Sequence, residues 1–169
     1  MDHPRDMATA TRAATSTAAL VDALRESRLD YELLPHSETF SAAAEAHALG
    51  VLEQVVAKTL VVRDDRGGQI RAVVPASCRL DLDKLAREVG AGEVTLLGEP
   101  ELLGSYPQFE LGAVPPLAGP AGDAVVVDRR LLECDHVVFE AGVHDKSVRL
   151  RTEDLLTAAD ALVADIACD

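Results

Sequence analysis

The sequence predicts a mixed α/β domain of the α+β kind. Three observations carry this: capped, amphipathic stretches of helical period, short β-branched runs bounded by Gly and Asp turns, and their irregular interleaving without a repeat. At 169 residues the chain fits one core. Met1 to Ala14 reads as a loose polar arm and residues 15–169 as a single domain.

From Thr15 to Arg28, Ala18, Leu20, Val21, Ala23 and Leu24 recur near helical spacing between charged residues, which predicts an amphipathic helix. Leu29 to Leu34 follows as a short strand. Ser41 is placed to cap an Ala-rich helix that Gly50 ends. Val55 to Arg63 and Gln69 to Val74 are strands, joined into a hairpin by the Asp64 to Gly68 turn. Pro75 breaks the run, Asp81 or an adjacent residue is placed to cap a helix through Leu85 and Val89, and Gly90 with Gly92 marks its exit. Glu93 to Leu97 is a strand, and Glu99-Pro100-Glu101 starts a short helix, since proline suits the first turn and acids favour the positive helix end.

Residues 104–122 hold Pro107, Pro115, Pro116 and Pro120 among several glycines, a loop too rigid for a flexible linker. Ala124 to Val127 and His136 to Phe139 are short apolar strands, and the alternation around Val148 and Leu150 gives a half-buried one. Thr152 is placed to cap a final helix in which Ala158, Leu162 and Ile166 repeat at four-residue spacing.

Composition limits function. The formal charge is −13, from 29 acidic against 16 basic residues, so the chain repels polyanions and is not a groove-tracking nucleic-acid binder. Engagement of a nucleic-acid end remains open. Aromatics are 3% and Trp is absent, which leaves Val, Leu and Ala to fill the core. Cys78, Cys134 and Cys168 lack zinc or disulfide spacing and read as reduced thiols of a cytoplasmic protein. Cys78 adjoins Arg79, yet no histidine is near it in sequence to make it a nucleophile. The five histidines make no close-spaced ligand pair, so no metal and no cofactor is expected, and no segment has the length of a membrane span.

Lys58 stands in a run otherwise apolar from Val55 to Val62. It reads either as an edge lysine that snorkels to water or as a cation in a pocket wall for phosphate or carboxylate. Gly112 to Pro116 is the second feature: glycine lets a ligand approach the backbone and the prolines fix the chain that follows, so the segment is a rigid surface loop or a ligand-binding one. Asp128 ends a strand, as a turn residue or a polar group reaching Lys58 or a water. His36 is placed between a strand and a helix, exposed or near the same pocket. His136 reads as structural. His144, in a hairpin loop, has the near-neutral titration of a general base.

Taken in order, Ala57-Lys58-Thr59-Leu60-Val61-Val62, Val73-Val74-Pro75 before Leu80-Asp81, Gly112-Ala113-Val114-Pro115-Pro116, Val126-Val127-Asp128 and Ala141-Gly142-Val143-His144 resemble the YbaK family, the prolyl-tRNA synthetase-associated editing domains. The resemblance spans roughly Leu29 to Leu155. It implies a curved mixed sheet closing toward a barrel with helices around it, and a trans-acting deacylase that hydrolyses the ester of a mischarged tRNA such as Cys-tRNA(Pro) or Ala-tRNA(Pro). A non-catalytic aminoacyl, nucleotide or protein-docking module on the same scaffold is the alternative. The implied partners are a tRNA acceptor end and prolyl-tRNA synthetase or another synthetase.

By the same resemblance Lys58 anchors the phosphate or terminal adenosine, and Thr59, in place of the Asn of some alanine-directed members, tilts specificity toward the cysteine-directed or broader branch. Gly112, Ala113, Val114 and Pro115 contact the aminoacyl group, Gly142 and His144 border the pocket, and Asp128 is a further substrate contact. Lys58, Gly112 and His144 are the expected catalytic set. The chain departs from the family in having Ser105-Tyr106-Pro107 where many members carry a Thr-Gly pair.

Overall fold

The computed structural model describes residues 17–118 and 123–169; the predicted N-terminal arm, and Pro120 of the long loop, lie outside them. Residues 17–26 form helix α1, and β1 (Tyr31–Pro35) follows. In α2 (Ala42–Leu49) the Ser41 hydroxyl accepts from the Ala44 N–H, and Gly50 turns left-handed at φ 66° to close the helix. The hairpin of β2 (Ala57–Asp64) and β3 (Gln69–Pro75) pairs Ala57 with Pro75 through to Arg63 with Gln69. Its turn is held by Asp64, whose carboxylate accepts from the N–H groups of Arg66 and Gly68. After β4 (Arg79–Leu80), α3 (Leu82–Val89) is capped by Asp81 and ended by left-handed Gly90. Then come β5 (Val94–Leu96), α4 (Glu99–Ser105), β6 (Ala124–Asp128), β7 (His136–Glu140), β8 (Lys146–Arg151) and α5 (Thr152–Ala158).

The C-terminal reading needs correction. The final helix stops at Ala158, and Leu162–Ala164 (β9) and Ala167–Cys168 (β10) are strands. Asp160 sits at φ 48°, which no continuing helix tolerates, and β9 pairs in parallel with β6 while β10 pairs with β4. Thr152 is the first helical residue, not the cap, and its hydroxyl donates instead to the Cys134 carbonyl.

A five-stranded mixed sheet runs β5-β2-β3-β6-β9, and a three-stranded antiparallel sheet runs β1-β8-β7. Among the described residues a parallel bridge between Val56 and Val138 joins the two sheets. The period of two in β3 explains the layering. Val73 faces a core shared with Val137, Phe139, Val148 and Leu150 of the smaller sheet and with Leu20 and Leu24 of α1. Ile70, Ala72 and Val74 face the other way, onto Leu85 and Ala86 of α3 and Ile166. Burying each large side chain of these layers contributes about 1.5–3 kcal/mol. Because β5 pairs with β2 only over Val62 to Asp64, the Ala57 to Leu60 half of β2 keeps an open edge. The site forms there.

Candidate active site

The open edge of β2 is one wall of a cleft of about 160 Å³. Ala57, Lys58, Thr59 and Leu60 line it, opposite Phe40 to Ala42 and Glu45 at the start of α2, Gly112 to Val114 in the loop, and Phe139 and Glu140 at the end of β7. Ligand pockets for drug-sized molecules run to about 300–1,000 Å³, so this space suits a small group. Lys58 is half-buried, and its ammonium makes no hydrogen bond or ion pair among the described residues. The Thr59 hydroxyl is buried and unpartnered. The Val61 carbonyl accepts from Leu97 on the β5 side, so by strand alternation the backbone groups of Thr59 point to the same, open side.

The loop is held from behind by residues the sequence reading did not single out. The Arg71 guanidinium, 2% exposed, donates to Asp123 from Nε at 2.7 Å, to the Pro115 carbonyl at 2.8 Å and to the Ala118 carbonyl at 2.5 Å. Tyr106 adds a hydrogen bond from its hydroxyl to Asp123 and places its ring 5.1 Å from the guanidinium carbon. Gly112 stands at φ 84°, and an added Cβ would meet the His144 ring at 3.6 Å. The contact is ordinary, but the left-handed backbone is not. Gly112→Ala is expected to cost about 1–2 kcal/mol on that ground, read as a lower urea midpoint.

Beneath the loop lie two carboxylate–histidine pairs. His144 is 9% exposed, and its Nε2 lies 2.7 Å from the Leu111 carbonyl, an acceptor only, so Nε2 carries a proton. Nδ1 faces Glu140 Oε2 at 3.2 Å, outside good hydrogen-bond geometry, with the Glu140 side chain 11% exposed. His36 follows the same logic. Its Nδ1 donates to the Ser37 carbonyl at 2.7 Å, and its Nε2 meets the Ser147 hydroxyl at 2.8 Å, which bonds Glu45 at 2.5 Å. The sequence left His36 as an exposed loop residue or one near the pocket; it is half-buried and coupled to the cleft through Ser147.

Burial pushes the Glu140 carboxyl up to about 9, and the neighbouring charges of Glu45 and Glu110 add to it. Glu45 is raised too, by burial, against the opposing Ser147 hydrogen bond and the two histidines. An acid raised in the folded state binds its proton more tightly there than in the unfolded chain. Its contribution to stability is therefore whole below about pH 4.5 and is lost as pH rises toward about 9. Glu140→Gln is expected to flatten that decline, which a series of urea midpoints against pH measures.

Of the residues expected from sequence, Lys58, Thr59, Gly112, Ala113 and Val114 meet at the cleft. Pro115 and Gly142 support it from behind: both are buried, with their carbonyls taken by Arg71 and Glu110 respectively. His144 lies under Gly112 with both ring nitrogens turned to protein groups, so it shapes the floor and does not open onto the cleft. Asp128 is elsewhere. It is fully buried, and its carboxylate accepts from the N–H groups of Arg130, Ile166 and Ala167 and pairs with the Arg130 guanidinium, so it ties the C-terminal strands to β6 and does not reach Lys58. Glu45, Glu140 and Phe40 went unread in the sequence. Glu140 carried a signal akin to that of Lys58, a charge adjoining apolar strand residues, here at the end of β7.

Among the described residues no group of side chains is arranged to hold a metal ion, and no helix is long and apolar enough to cross a membrane. All three cysteines are free thiols.

Residues 36–158 match the family model described as the aminoacyl-tRNA editing domain. The chain is 29% identical over 144 residues to the multifunctional Ser/Thr-tRNA deacylase ProXp-y of Escherichia coli K12, covering 83% of this chain and 86% of that protein. It is 24% identical over 156 residues to EbsC of Enterococcus faecalis, named as a candidate Cys-tRNA(Pro)/Cys-tRNA(Cys) deacylase, covering 92% and 94%. The crystal structure of a candidate trans-editing enzyme for prolyl-tRNA synthetase superposes at TM-score 0.80 with 27% identity, over 91% of this chain and 98% of that one. The chain therefore belongs to the aminoacyl-tRNA editing domain family, the YbaK family that its ordered motifs resemble.

Proposed function

We propose that the chain is a trans-acting deacylase that hydrolyses the ester of tRNA carrying a small, wrong amino acid, with serine, threonine, cysteine and alanine as the size class. One observation carries the reading: a cleft with room for a small group sets an unpaired Lys58 across from backbone N–H groups in a braced loop. The N–H groups of Gly112 and Val114 have no acceptor among the described residues. They are the donors for the ester carbonyl oxygen as it gains negative charge, and the Arg71 strut holds them before the reaction begins. Lys58 takes the phosphate of the terminal nucleotide as a point-charge donor. Phe40, 75% exposed at the mouth, offers a flat face on which the terminal base stacks.

Water adds to the ester carbonyl, and the bond from carbonyl carbon to ribose oxygen breaks. The departing oxygen takes a proton, and free amino acid and uncharged tRNA leave. The ester is already activated and a vicinal ribose hydroxyl is at hand to orient the water, so positioning and oxyanion stabilisation supply the rate without a side-chain base. The sieve is steric: larger residues do not enter, while a synthetase's own site separates amino acids differing by one methylene by only about 10–200-fold. With a formal charge of −13, the chain grips only the acceptor end, which a synthetase such as prolyl-tRNA synthetase presents.

The test incubates the purified chain with tRNA(Pro) bearing serine, threonine, cysteine, alanine or proline and follows loss of the ester. Hydrolysis of at least one small ester, with proline spared, supports the proposal. Stability of every ester refutes it.

A further inference from the structure

Lys58 and the loop amides account for one end of the cleft and leave the acidic wall without a task. Glu45 is 2% exposed and Glu140 nearly as buried, both line the cleft, and no lysine or arginine among the described residues pairs with either. Nature rarely leaves two carboxylates side by side in a wall without a cation.

We propose that Glu45 and Glu140 together form the receptor for the α-ammonium group of the aminoacyl moiety, so that the enzyme reads a free amino terminus as well as side-chain size. This rests on the deacylase reading above and extends it to a substrate feature that size does not test.

Three observations converge on an ammonium. The first is polarity: Lys58 makes no ion pair with either acid among the described residues, whereas Glu140 faces His144 Nδ1 at 3.2 Å and Glu45 bonds Ser147, whose hydroxyl meets His36. The cleft thus has a basic end and a separate acidic one, and an aminoacylated tRNA end has the complementary pattern, phosphate on one side of the ester and α-ammonium on the other. The second is valence. Glu45 Oε2 is occupied by Ser147 and Glu140 Oε2 faces His144 Nδ1 at 3.2 Å, which leaves the Oε1 atom of each acid for a ligand. Carboxylate oxygens left without a donor in so buried a wall are costly, and an ammonium with three donors serves both Oε1 atoms.

The third is charge balance. Burial disfavours the ionised form of both acids in the empty cleft, and the charges of Glu45 and Glu110 add to it at Glu140. A bound cation reverses both effects. The histidines provide the proton store: His144 Nε2 and His36 Nδ1 are fixed as donors by backbone carbonyls, so His144 Nδ1 and, through Ser147, His36 Nε2 are free to take the protons that the carboxyls release. Each pair keeps its net charge as the proton crosses, and no proton need leave the site.

The experiment compares alanyl-tRNA and N-acetyl-alanyl-tRNA, with seryl-tRNA alongside, using the wild-type chain, Glu140→Gln and Glu45→Gln. Acetylation removes the ammonium charge and leaves the ester in place. Wild type is expected to cleave the acetylated ester about 10–100-fold more slowly in kcat/KM, the loss of one or two charge-assisted hydrogen bonds. Each variant is expected to lose a similar factor on alanyl-tRNA and little on the acetylated ester. Equal cleavage of free and acetylated esters by wild type overturns the proposal while leaving the deacylase reading intact. A variant defect confined to seryl-tRNA also overturns it, since the acids would then read the side-chain hydroxyl. Failure to cleave any ester sinks the deacylase reading itself. Should Glu45→Gln fail to fold, as its bond to Ser147 allows, the acetylated substrate and Glu140→Gln still decide.

Discussion

Lys58→Ala is expected to lower kcat/KM on a cleaved mischarged tRNA by about 10- to 100-fold and to leave stability within about 0.5 kcal/mol of wild type. The split follows from the structure. The ammonium makes no hydrogen bond or ion pair among the described residues, so its removal breaks nothing in the free protein, and any lost interaction is one made to the substrate. As a phosphate anchor it acts in the ground and transition states alike, so the loss should fall mainly on KM. Lys58→Arg keeps the charge and should recover part of the affinity, although the planar fork does not reproduce the compact ammonium. Steady-state kinetics beside a urea titration separate these effects. A variant with wild-type kinetics would remove Lys58 from the site.

Arg71→Met should produce the largest change in stability. The guanidinium bridges Asp123 and the Pro115 and Ala118 carbonyls, and with Asp123 only 10% exposed its loss strands a buried carboxylate. Breaking one side of such a pair costs about 3–5 kcal/mol. For a chain of this length that lowers Tm by about 6–20 °C. The same change frees the loop whose amides are proposed as oxyanion donors, so kcat should fall even at temperatures where the variant stays folded. Pairing it with Asp123→Asn should return part of the stability, because the uncompensated charge is gone. A loss under about 1 kcal/mol would mean the strut does not hold the loop.

How much of this was written in the sequence depends on the reach of each interaction. The caps at Ser41, Gly50, Asp81 and Gly90 are local, made within four residues, and each is where the sequence placed it. The C-terminal strands are not local. Ala158, Leu162 and Ile166 repeat at a spacing that mimics a helix, and what makes Leu162–Ala164 a strand is β6, more than thirty residues earlier. Asp128 misled for a related reason: an aspartate after an apolar strand looks available, but its carboxylate is taken by the backbone N–H groups of Ile166, just before β10, and Ala167 at its start.

The site divides the same way. Lys58 and Gly112 stood out because a cation in an apolar strand and a glycine before paired prolines are odd in their own neighbourhoods. Glu45 looked like any acid on an Ala-rich helix, and Arg71 like a charge in a hairpin strand. Their roles come from partners 102 and 52 residues away, Ser147 and Asp123. A motif can carry a lysine and a loop; it does not carry the buried charges that brace them.

The most direct test of the central claim is a crystal structure of the chain with 3′-(L-alanyl)amino-3′-deoxyadenosine 5′-phosphate, whose amide resists hydrolysis. The account places the alanyl group in the cleft beside Gly112 to Val114, with its carbonyl oxygen within hydrogen-bond distance of the loop N–H groups and the phosphate at Lys58. A ligand bound anywhere else, or an alanyl group turned out of the cleft, would contradict it.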